Sequence, residues 1–369
     1  MTLDLRRRRF VLGSAAFLSQ AGLSRVSLAQ PSRLDRAPVV DSLAVRVITD
    51  SSYDTPVAGT SKWVKVRRVN FISAKDFRKT LHNEWGLSLA LESRAGSDTR
   101  HILLDSGYTP AALMNNLEIM GVDGSKVQAL IVSHGHYDHF GGLVGFLEKY
   151  RGQLPGDLTL YVGGEDVFCT RKRPPNAEGH LTDAGVLDRR ELDRLKVKVV
   201  TCQQPTVILG HAFTTGTIQK RSFERVSAGP LVEYFPSNGA GCNIPAENEK
   251  AQGKAVKDEH IHEHATCFHV KDRGLVVMTS CGHTGIVNAT RTAMEVSGVK
   301  KVHAVMGGFH LFPASEDYLR KTIDELKVLD PDVIIPMHCS GPSLLTLLRS
   351  EMADRVVTST TGTEFVFGG

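Results

Sequence analysis

Six cysteines in 369 residues are too few for a disulfide scaffold, and no two of them form a CxxC pair. An oxidising compartment would still allow a bridge involving Cys169, Cys202 or Cys242, and spacing alone assigns none. Long apolar runs are missing too. Beyond Leu23 no stretch reaches the roughly 18 unbroken apolar residues that span a bilayer. Internal repeats and low-complexity tracts are absent. Net charge is also lacking over most of the chain. Residues 1–29 hold five Arg and one Asp, and their +4 equals the net charge of the whole sequence. The remainder is neutral, which argues against a basic stripe for nucleic acid and against a polybasic membrane face.

The charged start has its own reading. Arg6-Arg7-Arg8-Arg9-Phe10-Val11 leads into a mild apolar stretch to Leu23, and Ser27-Leu28-Ala29 offers small residues where a signal peptidase cuts. The Arg-Arg-x-Phe-Val pattern resembles a twin-arginine signal, the route of proteins that fold and acquire metal before export. The expectation is a signal peptide over 1–29, a linker over 30–42, and a periplasmic or secreted protein. Its partners are then the twin-arginine export machinery and a small-molecule substrate, with no stable membrane association after cleavage. The oligomeric state is not legible.

Chemistry concentrates at one place. His134-Gly135-His136-Tyr137-Asp138-His139 packs three imidazoles and a carboxylate into six residues, directly after the apolar run Val127–Val132. A strand ending in a turn points His134 and His136 the same way. Asp138 and His139 stand on the turn beyond, where they face a second ion. Gly141-Gly142 then supply permissive backbone before a helix carrying Leu143, Phe146 and Leu147. Towards the C-terminus the pattern repeats as strand, turn, helix: Leu275 to His283 then Ala289 to Val296, Val302 to His310 then Glu316 to Leu329, Val333 to His338 then Ser343 to Met352. Each strand run finishes in a His, and in α/β architectures ligands gather where strand ends meet helix starts. Earlier, Leu43 to Thr49 reads as a strand. Trp85 to Glu92 and His101 to Asp105 read as a pair joined by a turn over Ser93 to Thr99. Thr109 caps a helix ahead of Pro110. About 340 residues after the leader form one domain, 43–369, because the candidate ligands run from His134 to His338 and must meet. Polar insertions near 171–190 and 227–264 are expected to be loops over the site.

The HxHxDH stretch resembles the motif of the metallo-β-lactamase fold. Three further stretches, Thr279-Ser280-Cys281-Gly282-His283-Thr284-Gly285-Ile286-Val287-Asn288, Gly307-Gly308-Phe309-His310-Leu311 and Pro336-Met337-His338-Cys339-Ser340-Gly341, resemble the branch named after the 7,8-dihydropterin-6-methyl-4-(β-D-ribofuranosyl)aminobenzene-5′-phosphate synthases. The similarity runs from about residue 45 to the C-terminus, and it marks the branch rather than the reaction. It implies an α/β architecture, the αββα sandwich of two mixed β-sheets flanked by helices, with one or two metal ions at the sheet edge. On that basis His134, His136 and His283 face the first ion, and Asp138, His139 and His338 the second. Asp105 is then a carboxylate that orients the ligand loop. Cys281 stands where most hydrolases of the fold have a bridging Asp, as a bridge or a supporting residue, and His262 or His264 is an alternative source of an upstream His. His310 polarises substrate or donates a proton, and Asp138 accepts one. Arg171, Arg173 and Arg221, with Lys172 and Lys220, are candidate contacts for a substrate phosphate or carboxylate. The donor set suits Zn²⁺, and also Fe or Mn. The expected function is metal-dependent hydrolysis of a small ester, lactone, amide or phosphoester. The alternatives are a dihydropterin-type transfer and a metal-binding module without catalysis.

Overall fold

Alternation of apolar side chains gives each central strand two buried faces. In Ala129–Val132, Ala129 and Ile131 point into one core cluster while Leu130 and Val132 point into another. Gly274–Thr279, Val302–Gly308 and Val333–Met337 are buried throughout in the same way. The computed structural model describes residues 32–54, 61–68, 76–226, 229–234, 242 and 254–369. Among them, one sheet of eight strands runs in the order Lys198–Thr201, Thr159–Val162, Ala129–Val132, Asp98–Leu104, Ser88–Ala95, Ser42–Thr49, Thr363–Gly368 and Lys65–Arg68. Its first four strands pair in parallel and the rest antiparallel. A second sheet, of seven strands, runs Val207–Ile208, Ala212–Thr214, Thr266–Val270, Gly274–Thr279, Val302–Gly308 and Val333–Met337, with Val39–Val40 beside Thr266–Val270.

The two sheets pack face to face. Val45, Leu89, Leu104 and Ile131 of the first meet Phe268, Met278, Met306 and Ile335 of the second. Helices Pro110–Ile119 and Leu143–Tyr150 bury Leu113, Leu117, Phe146 and Leu147 on the outside of the first sheet. Helices Ile286–Ser297, Glu316–Leu329 and Pro342–Glu351 do the same on the second, through Val287, Ile323 and Leu348. This is the αββα sandwich that the motifs imply. Among the described residues no helix is long and apolar enough to cross a membrane.

Several local expectations shift. The first hairpin turns at Gly96-Ser97 rather than across Ser93 to Thr99, because Ser93 still pairs with Arg100 and its buried hydroxyl lies 2.9 Å from His211 Nδ1. Helix Ile286–Ser297 begins before Ala289, since the Glu224 carboxylate accepts from Val287 N at 3.2 Å and from Asn288 N at 2.9 Å. Part of the segment read as a linker is docked: Val39–Val40 forms an edge strand. The two segments read as loops contain a third sheet, Ala255–Lys257, Leu231–Glu233, Thr170–Arg173 and Thr182–Asp183. Beside it Cys169 and Cys242 are joined by a disulfide, while Cys202 is free and buried. The segment read as a signal, and parts of 227–264, lie outside the described residues.

Candidate metal centre

The ligand turn is built on Asp105. Its carboxylate, wholly buried at a left-handed backbone position (φ 56°), accepts from Ser133 N at 2.8 Å and Ser133 Oγ at 2.8 Å, and faces His139 Nδ1 at 2.7 Å. Ser133 Oγ in turn lies 2.9 Å from His134 Nδ1. With Nδ1 engaged, each ring presents Nε2 inward. His134 Nε2 and His136 Nε2 are buried without a hydrogen-bond partner, and His139 Nε2 stands 3.3 Å from Cys281 Sγ. From the far end of the chain His338 is held alike: Nδ1 lies 2.9 Å from Ser51 Oγ, its backbone N–H donates to Asp50 at 2.7 Å, and Nε2 faces Asp138 Oδ2 at 3.3 Å. Imidazoles held by one nitrogen and presenting the other are what metal ligation requires.

These donors converge. Ligand atoms of His134, Cys281 and His283 lie within 4.8 Å of one another, as do those of His136, His260 and His283, and those of His139, Cys281 and His338. The long-range meeting of His283 and His338 with the HxHxDH turn is therefore present, and Asp138 joins through His338 and His139. Burial, reinforced by neighbouring rings, pushes His134, His136 and His283 well below the ordinary imidazole range, which keeps them in the neutral form that binds metal. Burial pushes the Asp138 carboxyl up, but His139 and His338 outweigh it and hold the group below the usual carboxylate range. Burial pushes His139 down, but Asp138 and Asp105 outweigh it and bring it to about 9. Linked groups of buried imidazoles that share the Cys281 thiol, with the Asp138 carboxylate beside His338, fit a borderline divalent cation.

His260 and Glu263 were not foreseen. The His260 ring stacks on His283 at 4.1 Å and 7°, and neither of its nitrogens has a hydrogen-bond partner. Glu263 accepts from His283 N at 2.8 Å, Thr284 N at 2.7 Å and Thr284 Oγ1 at 2.7 Å, which fixes the loop that carries His283. The spacing His260-x-His262-x-His264 flags the segment without ranking its members. His264 is outside every such group among the described residues, because its Nε2 turns to the Val132 carbonyl at 3.1 Å. His262 is grouped with Asp258 and His260 rather than with a residue of the HxHxDH turn; it lies 2.8 Å from Asp166 Oδ2 and accepts from Gly135 N at 3.0 Å.

Two expected substrate contacts are corrected. Arg171 is fully buried, paired with Asp258 at 3.0 Å and donating to the carbonyls of Asp166, Val167 and Cys169, so no part of its guanidinium faces a ligand. It packs so tightly under Gly135 that a Cβ there would lie 2.8 Å from it. Arg221 pairs with Glu295 away from the cavity described below. Lys172 and Lys220 are likewise engaged, with Asp183 at 2.6 Å and Glu259 at 3.2 Å.

A family model described as the metallo-beta-lactamase superfamily matches residues 91–165, the stretch that holds Asp105 and the HxHxDH turn. The chain carries a metallo-beta-lactamase superfamily domain. Among curated proteins of Methanocaldococcus jannaschii, the 7,8-dihydropterin-6-methyl-4-(beta-D-ribofuranosyl)-aminobenzene-5′-phosphate synthase is 26% identical over 262 residues, covering 70% of this chain and 82% of that one. An uncharacterized protein of the same organism is 27% identical over 259 residues, covering 68% and 83%. A solved structure described as a metal-dependent hydrolase of the beta-lactamase superfamily aligns with a TM-score of 0.62 at 22% identity, over 87% of this chain and 98% of that one, a likeness of fold. A cavity of about 470 Å³ opens above the cluster. Asp138, Cys281, His310, His338 and Cys339 line it from below and Arg173 from the side. Four aromatic rings complete the wall: Trp85 packs edge-on against Phe312 at 5.8 Å, and Tyr108 against Tyr137 at 5.0 Å. Trp85 is 50% exposed and Phe312 49%, an apolar rim left for a ligand to cover.

Proposed function

We propose that the protein is an exported metal-dependent hydrolase of a small ester, lactone, amide or phosphoester. The observation that carries this reading is the convergence of three remote chain segments on the HxHxDH turn at the floor of the cavity. His134, His136 and His283 would hold a first ion, with His260 beside them, and Asp138, His139 and His338 a second, with Cys281 common to both donor groups. A zinc, iron or manganese ion held there would supply Lewis-acid polarisation of the scissile group and a water acidified towards neutral pH. Asp138 is a carboxylate facing the cavity, placed to accept the proton that water gives up. His310 lines the cavity together with Asp138 and His338, placed to donate a proton to the leaving group. Arg173 and the aromatic rim bind and orient the substrate.

The test is metal analysis of the purified protein together with a panel of chromogenic ester, phosphodiester, lactone and β-lactam substrates. Turnover is expected to vanish on chelation and return with metal. Hydrolysis that survives complete metal removal would eliminate the reading. A dihydropterin-type transfer is the second reading, favoured by the name of the 26% identical relative, and selective turnover of a pterin diphosphate would promote it. Export rests on the Arg-rich start and on the Cys169–Cys242 bond, since such bonds persist in oxidising compartments. Replacing Arg6 to Arg9 by Lys is expected to retain the protein in the cytoplasm, as fractionation would read.

A further inference from the structure

The thiols of Cys281 and Cys339 face each other across the cavity floor. Their Sγ atoms lie 3.4 Å apart, and both side chains are buried. His310 completes a group whose three ligand atoms lie within 4.8 Å of one another. Cys281 Sγ also stands 3.3 Å from His139 Nε2, so the pair is continuous with the donors of the second ion. The backbone makes room for the second sulfur: a Cβ at Gly308 would lie 2.9 Å from Cys339 Sγ and 2.2 Å from the Ser280 carbonyl. Two tetrahedral metal–sulfur bonds of about 2.3 Å place their sulfurs roughly 3.8 Å apart, a few tenths of an ångström from the spacing found.

We propose that Cys281 and Cys339 both bind one metal ion as thiolates, with Cys281 linking them to the donors of His139 and His338, which gives the centre a sulfur-rich side selective for soft cations. Each thiol releases its proton to solvent as its sulfur donates an electron pair to the cation. Thiolate sulfur is a soft donor where a bridging carboxylate is a hard one, so zinc, cadmium and cobalt(II) are favoured over manganese or magnesium. His310 stays beside the sulfurs in the cavity wall rather than as a ligand.

The inference rests on the metal-dependent reading above, and one experiment separates the two. Chelator-stripped full-length protein is loaded with cobalt(II), and the near-ultraviolet sulfur-to-metal charge-transfer band is recorded beside bound metal per chain. The wild type is expected to show the band, Cys339→Ser about half of it, and the Cys281→Ser/Cys339→Ser double variant none, with the imidazole donors still taking up cobalt. A wild type that binds no ion sinks both proposals. Uptake without the band, or a band unchanged in Cys339→Ser, overturns this one alone. Should the serine variants misfold, the wild type still decides: metal loading is expected to shield two thiols from a thiol-specific reagent, and equal counts with and without metal overturn the proposal.

Discussion

Two segments of this chain each place three histidines within six residues, and they use them differently. In His134–His139 all three rings enter the ligand cluster, because Asp105 and Ser133 occupy the Nδ1 atoms of His139 and His134 and turn Nε2 inward. In His260–His264 only His260 reaches the cluster. His262 is taken by Asp166 and Arg171, and His264 by a backbone carbonyl. Histidine density is therefore a poor guide to ligation. What decides is which partner holds the other ring nitrogen, and that partner comes from elsewhere in the chain.

The contrast is open to direct attack. The largest effect belongs to the first segment: His134→Ala and His139→Ala are expected to lower bound metal per chain and cut turnover by more than the about 100-fold that marks the loss of a supporting group. Undiminished metal by elemental analysis would dissolve the distinction. Next comes the anchor of the second segment. Arg171→Met leaves Asp258 buried and unpaired, and an expected loss of about 3–5 kcal/mol shows in denaturant unfolding. The pH dependence of that loss has a definite sign. Burial pushes Asp258 up, but Arg171, His260 and His262 outweigh it and hold it below the usual carboxylate range. Its contribution is therefore full above an unfolded value of about 3.9 and disappears as pH falls through the lower folded one. Arg171→Met is expected to move acid unfolding to higher pH, and an unchanged acid limb would deny the pairing its role. A smaller effect follows from Asp105→Asn, which keeps shape but weakens the grip on His139. About a 10- to 100-fold fall in metal affinity by competition with a chelator is expected, with the fold intact by circular dichroism. The smallest belongs to His264→Gln, costing about 1 kcal/mol for one hydrogen bond and leaving metal content alone. Lost metal there would return His264 to the ligand set.

Much of the sandwich was legible because its signals are local. Runs such as Val333–Met337 are apolar on both faces, Thr109-Pro110 announces a helix start, and the HxHxDH spacing needs only six residues. What escaped reading depends on contacts between distant segments. Nothing near Ile286 announces that Glu224 will cap its helix. Nothing near Arg171 says that its side chain will be enclosed, since the enclosing groups are the Asp166–Cys169 carbonyls and Asp258, 87 residues on. The same holds for Glu263, whose role exists only once the Thr279–Thr284 turn folds over it. Arg173, two positions further along the same strand and exposed where Arg171 is buried, does line the cavity.

The sulfur chemistry imposes an order of events on anyone who handles this molecule. One pair, Cys169 and Cys242, is joined, and another, Cys281 and Cys339, is open, although both belong to the same chain. Strong reductant in a purification buffer would cut the first, and air would threaten the second. A preparation that loads its cation early and meets oxidant late preserves both.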